Sequence, residues 1–392
     1  MIDIDSVRAD TPGCQTRIHF NNAGASLMPK PVAEAMTQYI NLESAIGGYE
    51  AADEKKEELE GFYKSMANLL HTKASNMAFT SSATNSFARA LSCIPFESGD
   101  SILLANEDYI SNQLAFLSLQ KRQRIQLLRA ESLTEGGVDL DDMKRLMDLH
   151  HPRLVSLTHV PTNSGLVQPV KEVGALCRER NILYLVDGCQ STGQLPIDVA
   201  DIQCDFFSGT FRKFLRGPRG AGFLFVSDQV LKKQLEPLFI DMRGAEWAEK
   251  DSYNLRQDAK RFEDWELPYA LVEGSKAAVE YVLKIGINQI QERNEYLCQL
   301  IRRQLSGLPL VILDKGKRQS SIITVRIPGK EPMTVLQESR KNKINTSIST
   351  RGYAVIDFDA KRVTWALRIS PHYYNTEQEI HLVMDALRSI IQ

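Results

Sequence analysis

Between about residues 75 and 230, short apolar runs alternate with longer amphipathic segments. Residues 139–150 and 170–180 have the spacing of amphipathic helices. The apolar runs, each of which predicts a buried strand, are 101–105, 125–128, 154–158, 182–186 and 222–226. Strands that alternate with helices are typical of a parallel sheet covered on both faces, so we predict an α/β fold with a mostly parallel sheet.

Two predicted strands end in side chains that suit one kind of chemistry. The run 182–186 leads into Asp187, and a second short strand at 205–208 leads into a turn that carries Lys213. In open α/β sheets ligands bind outside the carboxyl ends of the strands, where both side chains would lie. A carboxylate can hold a pyridine nitrogen protonated and a lysine can bind an aldehyde covalently, which is what pyridoxal phosphate needs from a protein.

Each of these pieces also has a simpler structural interpretation. A lysine in a glycine-rich turn is usually exposed to solvent, and an aspartate after a strand often caps the next helix. The order and spacing of several motifs favour the cofactor. They are 19–24 (HFNNAG), 186–190 (VDGCQ), 208–222 around Lys213, 261–263 (RFE) and 367–376 (LRISPHYYNT).

Through these motifs the chain resembles the class V aminotransferase family of fold-type I pyridoxal phosphate enzymes. That family includes cysteine desulfurases, selenocysteine lyases, isopenicillin N epimerase-like proteins and ergothioneine-type C–S lyases. The length of 392 residues predicts about two domains. We expect a large cofactor-binding domain over 1–260, with an N-terminal arm over 1–25, and a smaller α+β domain over 261–392. The resemblance also implies a homodimer, in which 261–266 lie near the partner's phosphate site.

The resemblance implies a role for several side chains around the cofactor ring. Lys213 would bind the cofactor covalently and then act as base and acid at the substrate Cα. Asp187 would keep the ring nitrogen protonated. Gln190 and Asn163 would lie near the phenolic oxygen of the ring, and Tyr109 would stack on its face.

The segment 79–86 (FTSSATNS) offers hydrogen-bond donors for the cofactor phosphate. Small and hydroxyl residues ahead of a helix can present backbone N–H groups to an anion, although the same composition is equally typical of a helix N-cap. The resemblance favours the anion site. The residues that it assigns to the phosphate are Ser82, Ala83, Thr84 and Thr210, and it also implies that Arg212 contacts the cofactor. Arg212 stands where desulfurases carry histidine.

One departure from the family pattern bears on the reaction. Arg368 corresponds to the arginine that binds the substrate α-carboxylate, and desulfurases carry a nucleophilic cysteine on a loop before it. The matching segment 347–358 has no cysteine, and the last cysteine of the chain is Cys298. We therefore favour β-elimination that breaks a C–S bond of an amino acid without a catalytic cysteine. Epimerisation and transamination stay open, as does a binding protein that has kept the fold without catalysis.

Composition excludes several other classes of function. A net charge of −2 gives no reason to expect nucleic acid or a membrane surface as a partner. No apolar run reaches the ~18 residues that a membrane-spanning helix needs, and no secretory signal pattern is visible, so a cytoplasmic location is expected. The six cysteines and seven histidines show no metal-binding spacing, so no metal is expected.

Overall fold

The structure is a computed structural model and describes residues 2–392. The strands are β1 (Ile18–His19), β2 (Met77–Thr80), β3 (Ser101–Leu104), β4 (Gln126–Arg129), β5 (Leu154–Thr158), β6 (Leu183–Asp187), β7 (Phe206–Thr210), β8 (Gly222–Val226), β9 (Ala245–Glu249), β10 (Ser252–Leu255), β11 (Val311–Ile312), β12 (Ile323–Arg326), β13 (Ile344–Asn345), β14 (Ser347–Thr350) and β15 (Trp365–Ile369).

The α-helices are α1 (Ile4–Ala9), α2 (Lys30–Ile46), α3 (Gly48–Glu54), α4 (Lys56–Leu70), α5 (Ala83–Ser92), α6 (Ile110–Gln123), α7 (Leu140–His150), α8 (Val170–Glu179), α9 (Val199–Ile202), α10 (Asp228–Lys232), α11 (Tyr269–Ile285), α12 (Ile287–Leu305), α13 (Pro332–Lys341), α14 (Val355–Lys361) and α15 (Glu377–Ile391). Short 3₁₀ turns cover Pro12–Gln15, Ala74–Asn76, Ala259–Phe262 and Arg351–Tyr353.

The central sheet has seven strands in the order β2-β8-β7-β6-β5-β3-β4. Neighbouring strands from β4 to β7 run parallel, whereas β8 is antiparallel to both β2 and β7. The predicted α/β fold with a mostly parallel sheet is therefore confirmed. The sequence interpretation did not include β2, which is held in the sheet by pairing with the distant β8.

Both faces of this sheet are buried, which explains why its strands have nearly continuous apolar sequences. In β6, Tyr184 and Val186 pack into one hydrophobic core, and Leu185 packs into the core on the opposite face. Alternate side chains of a strand point to opposite faces, so a strand covered on both sides needs apolar residues at every position.

The chain after α11 forms a second sheet, which is antiparallel and has the order β11-β12-β15-β14. Its own core joins apolar side chains of α12 and α15 with Phe20 of the N-terminal segment. A capping box opens α15, because Thr376 and Glu379 each accept the other's backbone N–H.

Two segments near the predicted domain limits connect the two parts of the molecule. In the N-terminal segment, β1 pairs with β13 of the C-terminal part. Helix α11, which follows the predicted boundary at 260/261, packs against α2 and α4. That boundary stays a prediction. The helical segment over 48–70 is divided at Lys55 into α3 and α4. No helix within residues 2–392 is long and apolar enough to cross a membrane.

Candidate active site

Lys213 lies in the turn that follows β7, and only 6% of the residue is exposed. Phe211 and Phe214 on either side of it are fully buried, which anchors the turn in the core. Its ε-amino nitrogen lies 5.7 Å from the centre of the Tyr109 ring. No group of residues 2–392 forms a hydrogen bond or ion pair with that nitrogen. Burial, and then the charge of Arg212, lowers the pKa of Lys213.

Asp187 ends β6 on the strand next to the lysine turn, opposite Ser208 of β7. The residue is buried, and two donors hold its carboxylate. Oδ1 accepts the backbone N–H of Cys189 at 2.9 Å, and Oδ2 accepts the side-chain amide of Asn112 at 2.9 Å. The direction of this carboxylate is therefore set by contacts on both oxygens.

Two amides beyond the ends of β5 and β6 are only partly satisfied. Gln190 donates from Nε2 to the Ala23 carbonyl at 3.0 Å and to Thr162 Oγ1 at 2.8 Å. Gln190 Oε1 and Asn163 Oδ1 are buried without a hydrogen-bond partner among the described residues. Buried amide oxygens are rarely left unpaired, so both atoms indicate a polar ligand or water at this position.

The segment predicted to bind phosphate forms the first turn of α5. Ser82 is the N-cap and accepts the backbone N–H of Asn85 at 3.1 Å. The backbone N–H groups of the next residues, Ala83 and Thr84, belong to the set that has no partner within a helix and can meet an anion. A Cβ at Gly222 would lie 2.4 Å from the Ser82 carbonyl carbon, so glycine is required for β8 to pass this close. Thr210 pairs with Gly222 in the sheet and is thereby placed beside the turn.

Two arginines extend the site toward the N-terminal segment. Arg212 donates from Nη1 to the Gly24 carbonyl. Arg368 on β15 donates from Nη1 to Thr162 Oγ1 at 2.6 Å and from Nη2 to Asn21 Oδ1 at 3.4 Å. Its Nε is buried without a partner within residues 2–392. Burial, and then Arg212, lowers the pKa of Arg368 to about 10. A buried guanidinium without a carboxylate partner is suited to a carboxylate ligand.

A cavity of about 220 Å³ brings five of the eleven predicted site residues together. Of the residues predicted from sequence, its lining includes Tyr109, Asn163, Arg212, Lys213 and Arg368. Asp187, Gln190 and the α5 turn do not line this cavity themselves. A second cavity of about 320 Å³ lies between α6 and the segment 352–356, and Tyr353 lines both cavities.

The sequence interpretation did not assign several residues of the site. Asn112 contacts Asp187, Asp108 contacts Asn112, and Thr162 connects Gln190 to Arg368. Asn112 follows Tyr109 by three residues, and residues with this spacing lie on the same face of a helix. This spacing could have indicated from the sequence that Asn112 lies near the site. Thr162 is polar and directly precedes Asn163, but nothing local shows that it contacts β15.

No cysteine of the described residues lines the 220 Å³ cavity. Ser347, Ser349 and Tyr353 line the 220 Å³ cavity on the segment where desulfurases carry their cysteine. Cys189 lies beside Asp187, and burial together with the charge of that carboxylate raises the pKa of its thiol well above the usual value. A protonated thiol is a poor nucleophile. Within residues 2–392 no group of three His, Cys, Asp or Glu side chains is placed to hold a metal ion.

Segment 261–266 has a clear structural role within one chain. The buried Glu263 accepts the backbone N–H of Phe79 at 2.8 Å and the hydroxyl of Tyr63 at 2.8 Å, and it forms an ion pair with Arg243. Arg261 is fully buried and donates to backbone carbonyls. These contacts hold β2, the strand that leads into the α5 turn.

The polar groups of the site fit pyridoxal phosphate. It contains a buried amine without an acidic partner, a carboxylate held by two donors, two unpaired amide oxygens and a helix N-terminus. A site for a free metal ion or a purely apolar ligand would need a different set.

Comparison with known proteins agrees with this chemistry. The family model described as aminotransferase class-V matches residues 18–383. A probable cysteine desulfurase from Methanothermobacter thermautotrophicus is 28% identical over 98% of this chain and 98% of the relative. Another from Pyrococcus abyssi is 27% identical over 99% of this chain and 98% of the relative.

Solved structures of the same fold cover nearly the whole chain. The apo cysteine desulfurase from Thermococcus onnurineus NA1 has a TM-score of 0.92 at 24% identity and covers 100% of this chain and 98% of its own. A cystine C–S lyase in complex with its reaction product, cysteine persulfide, has a TM-score of 0.86 at 21% identity, with 97% and 99% coverage. At these identities the structures establish the fold.

Proposed function

This chain belongs to the aminotransferase class V family and is a pyridoxal phosphate enzyme of fold type I; from this we propose that it breaks a C–S bond of an amino acid by β-elimination, without a catalytic cysteine. The enzyme class and the cofactor follow from the family. The absence of a cysteine step, the substrate and the residue roles below are proposals.

The cofactor would be held by residues from three strand ends and one helix. Lys213 would bind it covalently, Asp187 would contact the ring nitrogen, and Tyr109 would stack on the ring. Gln190 and Asn163 would contact the ring oxygen. The phosphate would be bound by Ser82, Ala83, Thr84 and Thr210, and Arg212, which lines the cavity with Lys213, would be a further cofactor contact. When bound, pyridoxal phosphate supplies an electron sink for the bonds at the substrate Cα.

The protein residues then have to orient the substrate and move one proton. Arg368 would bind the α-carboxylate through its guanidinium, which no acid of the described chain neutralises. The amino group of the substrate would displace Lys213 from the cofactor, and the freed Nζ, whose pKa is lowered by burial, would then remove the proton from Cα. The electron pair released at Cα expels sulfur from Cβ, so the C–S bond breaks and sulfur leaves with its bonding electrons. Addition of water then converts the remaining three-carbon fragment to pyruvate and ammonia.

The observation that carries this proposal is the cysteine-free wall of the 220 Å³ cavity, formed by Ser347, Ser349 and Tyr353. Transfer of sulfur to the enzyme needs a thiol at that wall, whereas elimination does not. The adjoining cavity of about 320 Å³ is lined by apolar side chains such as Leu114 and Leu117 together with the polar side chains of Asp108 and Arg129, and it gives room for a substituent on sulfur. These features favour S-substituted cysteines or cystine as the substrate class.

The test is a product analysis with the purified, cofactor-loaded enzyme. We expect cystine and S-substituted cysteines to yield pyruvate and a thiol or persulfide in equal amounts, and Lys213→Ala to yield neither. A keto acid that retains sulfur would identify a transaminase, and a D-isomer without pyruvate would identify an epimerase. A persulfide bound covalently to the protein would overturn the cysteine-free mechanism.

We also propose that the enzyme is a homodimer. Leu238, Phe239, Met242 and Trp247 lie within ten residues of one another in the chain and are each at least 67% exposed, and we name them the exposed apolar surface. Large apolar side chains grouped on a surface are typical of protein contacts. This surface precedes 261–266, the segment expected near the partner's phosphate site. A cytoplasmic location also remains a prediction.

A further inference from the structure

The carboxylate of Asp187 is one end of a hydrogen-bonded chain that includes two residues of α6. Asn112 Nδ2 donates to Asp187 Oδ2 at 2.9 Å and to Asp108 Oδ1 at 3.0 Å. Gln113 Nε2 donates to Asp108 Oδ2 at 2.6 Å, and Arg129 Nη2 donates to Gln113 Oε1 at 2.5 Å. These five residues, from Arg129 to Asp187, are named the carboxylate–amide chain.

We propose that Asn112 and Asp108 are positioning residues for Asp187. Asn112 sets the direction in which the Asp187 carboxylate meets the cofactor ring. Asp108 fixes Asn112 and adds a negative charge that favours a protonated ring nitrogen. The inference rests on the proposed role of Asp187 as the residue that contacts this nitrogen.

Asn112 is suited to this role because its side-chain amide donates hydrogen bonds to two carboxylates, those of Asp187 and Asp108. It is 3% exposed, so its donated hydrogen bonds do not compete freely with water. Cys189 N–H binds the other oxygen of Asp187, so the two donors together prevent rotation of the carboxylate. Removing Asn112 would leave Asp187 Oδ2 buried with one donor fewer, which permits the carboxylate to turn away from the ring.

Asp108 is surrounded by donors alone. Besides Asn112 and Gln113, it accepts the backbone N–H of Tyr109 at 2.6 Å and the hydroxyl of Thr158. Hydrogen bonds donated to both oxygens are the pattern of an ionised carboxylate. No cation of the described residues contacts Asp108 directly, since Arg129 reaches it only through Gln113. Burial raises the pKa of Asp108, and the hydrogen bonds from Thr158, Gln113 and Asn112 act in the opposite direction by favouring the ionised form. In that form its charge adds to the negative potential near Asp187.

The chain also joins α6 to the ends of β5 and β6, so a purely structural role has to be separated from a positioning role. A structural role predicts a lower free energy of unfolding and an unchanged bound cofactor. A positioning role predicts a change in the cofactor itself. The test therefore uses the holoenzyme and reads the ring nitrogen directly.

The variants are Asn112→Leu, Asp108→Asn and, as a matched control, Gln120→Leu on an exposed position of α6. The measurements are the dissociation constant of pyridoxal phosphate and the NMR shift of its nitrogen-15-labelled ring nitrogen at fixed pH. Losing a hydrogen bond to a charged group raises a dissociation constant about ten- to a hundredfold. We therefore expect Asn112→Leu to raise the dissociation constant of pyridoxal phosphate about tenfold. The ring nitrogen should shift toward its unprotonated form.

Asp108→Asn keeps the shape of the side chain and removes its charge. We expect the same direction of NMR shift and a smaller loss of cofactor affinity, about threefold, whereas Gln120→Leu should match the parent. A folded Asn112→Leu enzyme with the affinity and shift of the control would overturn the inference. If Asn112→Leu does not fold, an unchanged shift in Asp108→Asn overturns it instead. Asp187→Asn tests the assignment of Asp187 separately from the positioning role of Asn112 and Asp108. An unchanged NMR shift in that variant means that the assignment of Asp187 itself has failed.

Discussion

The carboxyl edge of the central sheet and the segment 347–358 both border the cavity that contains Lys213, yet they differ in construction. Lys213, Asp187 and Gln190 at the sheet edge are buried and are held by strand ends on a close-packed core. On the other segment, Tyr353 and Val355 are about half exposed, at 52% and 45%. The sheet edge keeps the family pattern, whereas the segment lacks the cysteine of the desulfurases.

From this contrast we infer that the two regions have different roles in the site. We interpret the sheet edge as the part that holds the cofactor, because its residues lie at the buried ends of the strands. We interpret the segment 347–358 as the part that selects the reaction, because it borders the cavity and lacks the cysteine of the desulfurases. Each prediction below tests one side of this division.

The largest effect is expected at Lys213. Lys213→Ala should abolish covalent attachment of the cofactor and lower turnover by about 10³- to 10⁴-fold, because the general base at Cα is lost. Borohydride reduction followed by peptide mass spectrometry measures the attachment. Lys260→Ala is the control, since this buried lysine is paired with Glu60 away from the site and should retain the labelled peptide. Label on a lysine other than Lys213 would refute the assignment.

The next largest effect is expected at Asp187. Asp187→Asn should still bind pyridoxal phosphate and lose about a hundredfold in turnover, because a neutral amide no longer stabilises a protonated ring nitrogen. Steady-state kinetics on cofactor-loaded enzyme measure this loss. Asp205→Asn is a matched control, because Asp205 is also buried but accepts hydrogen bonds from Tyr184 N–H and Ser227. Asp205→Asn should lower stability without an equal loss of turnover; near-parental turnover in Asp187→Asn would mean that Asp187 is structural.

Arg368 tests where the substrate binds between the two regions. Arg368→Gln should lower kcat/KM about ten- to a hundredfold, the loss of hydrogen bonds to a charged carboxylate, while cofactor affinity stays near that of the parent. Inhibition by amino acids and by the matching amines that lack the carboxylate provides the control. If both inhibitor classes weaken equally, Arg368 does not contact the carboxylate.

Substitutions on the exposed apolar surface test whether full activity needs a second chain. Trp247→Asp and Phe239→Asp place charge on the exposed apolar surface and should produce monomers in light scattering, with turnover lowered several-fold. Tyr49→Asp, at another exposed aromatic residue, is the comparison variant and should stay dimeric. A parent enzyme that is monomeric and fully active would contradict the proposal.

The smallest effect on turnover is expected when all six cysteines are replaced by alanine or serine. Four of them are buried in described cores, namely Cys93, Cys177, Cys204 and Cys298, so the thermal midpoint should fall. Turnover per folded, cofactor-loaded molecule should remain within a few-fold of the parent. A loss of several orders of magnitude in such molecules would show that a cysteine takes part in the reaction.

The sequence by itself determined most strands of the central sheet and the edge on which the chemistry lies. Strands buried on both faces need continuous apolar runs, so the bounds of β5 and β8 agree with those predicted. Parallel strands end at one edge, so Asp187 and Lys213 had to be neighbours once the strands were recognised. The capping box of α15 was predictable because both of its partners lie within one helical turn.

Only the tertiary structure decided the contacts between residues that are far apart in the chain. Strand β2 pairs with β8 across nearly 150 residues, Asn112 meets Asp187 across 75, and Arg368 meets Thr162 across 206. A local pattern carries no information about such partners, because each contact depends on how separate elements pack. Packing therefore decided that Asn112 donates to the Asp187 carboxylate and that Nε of Arg368 has no partner among the described residues. The sequence contains these residues but does not show their contacts.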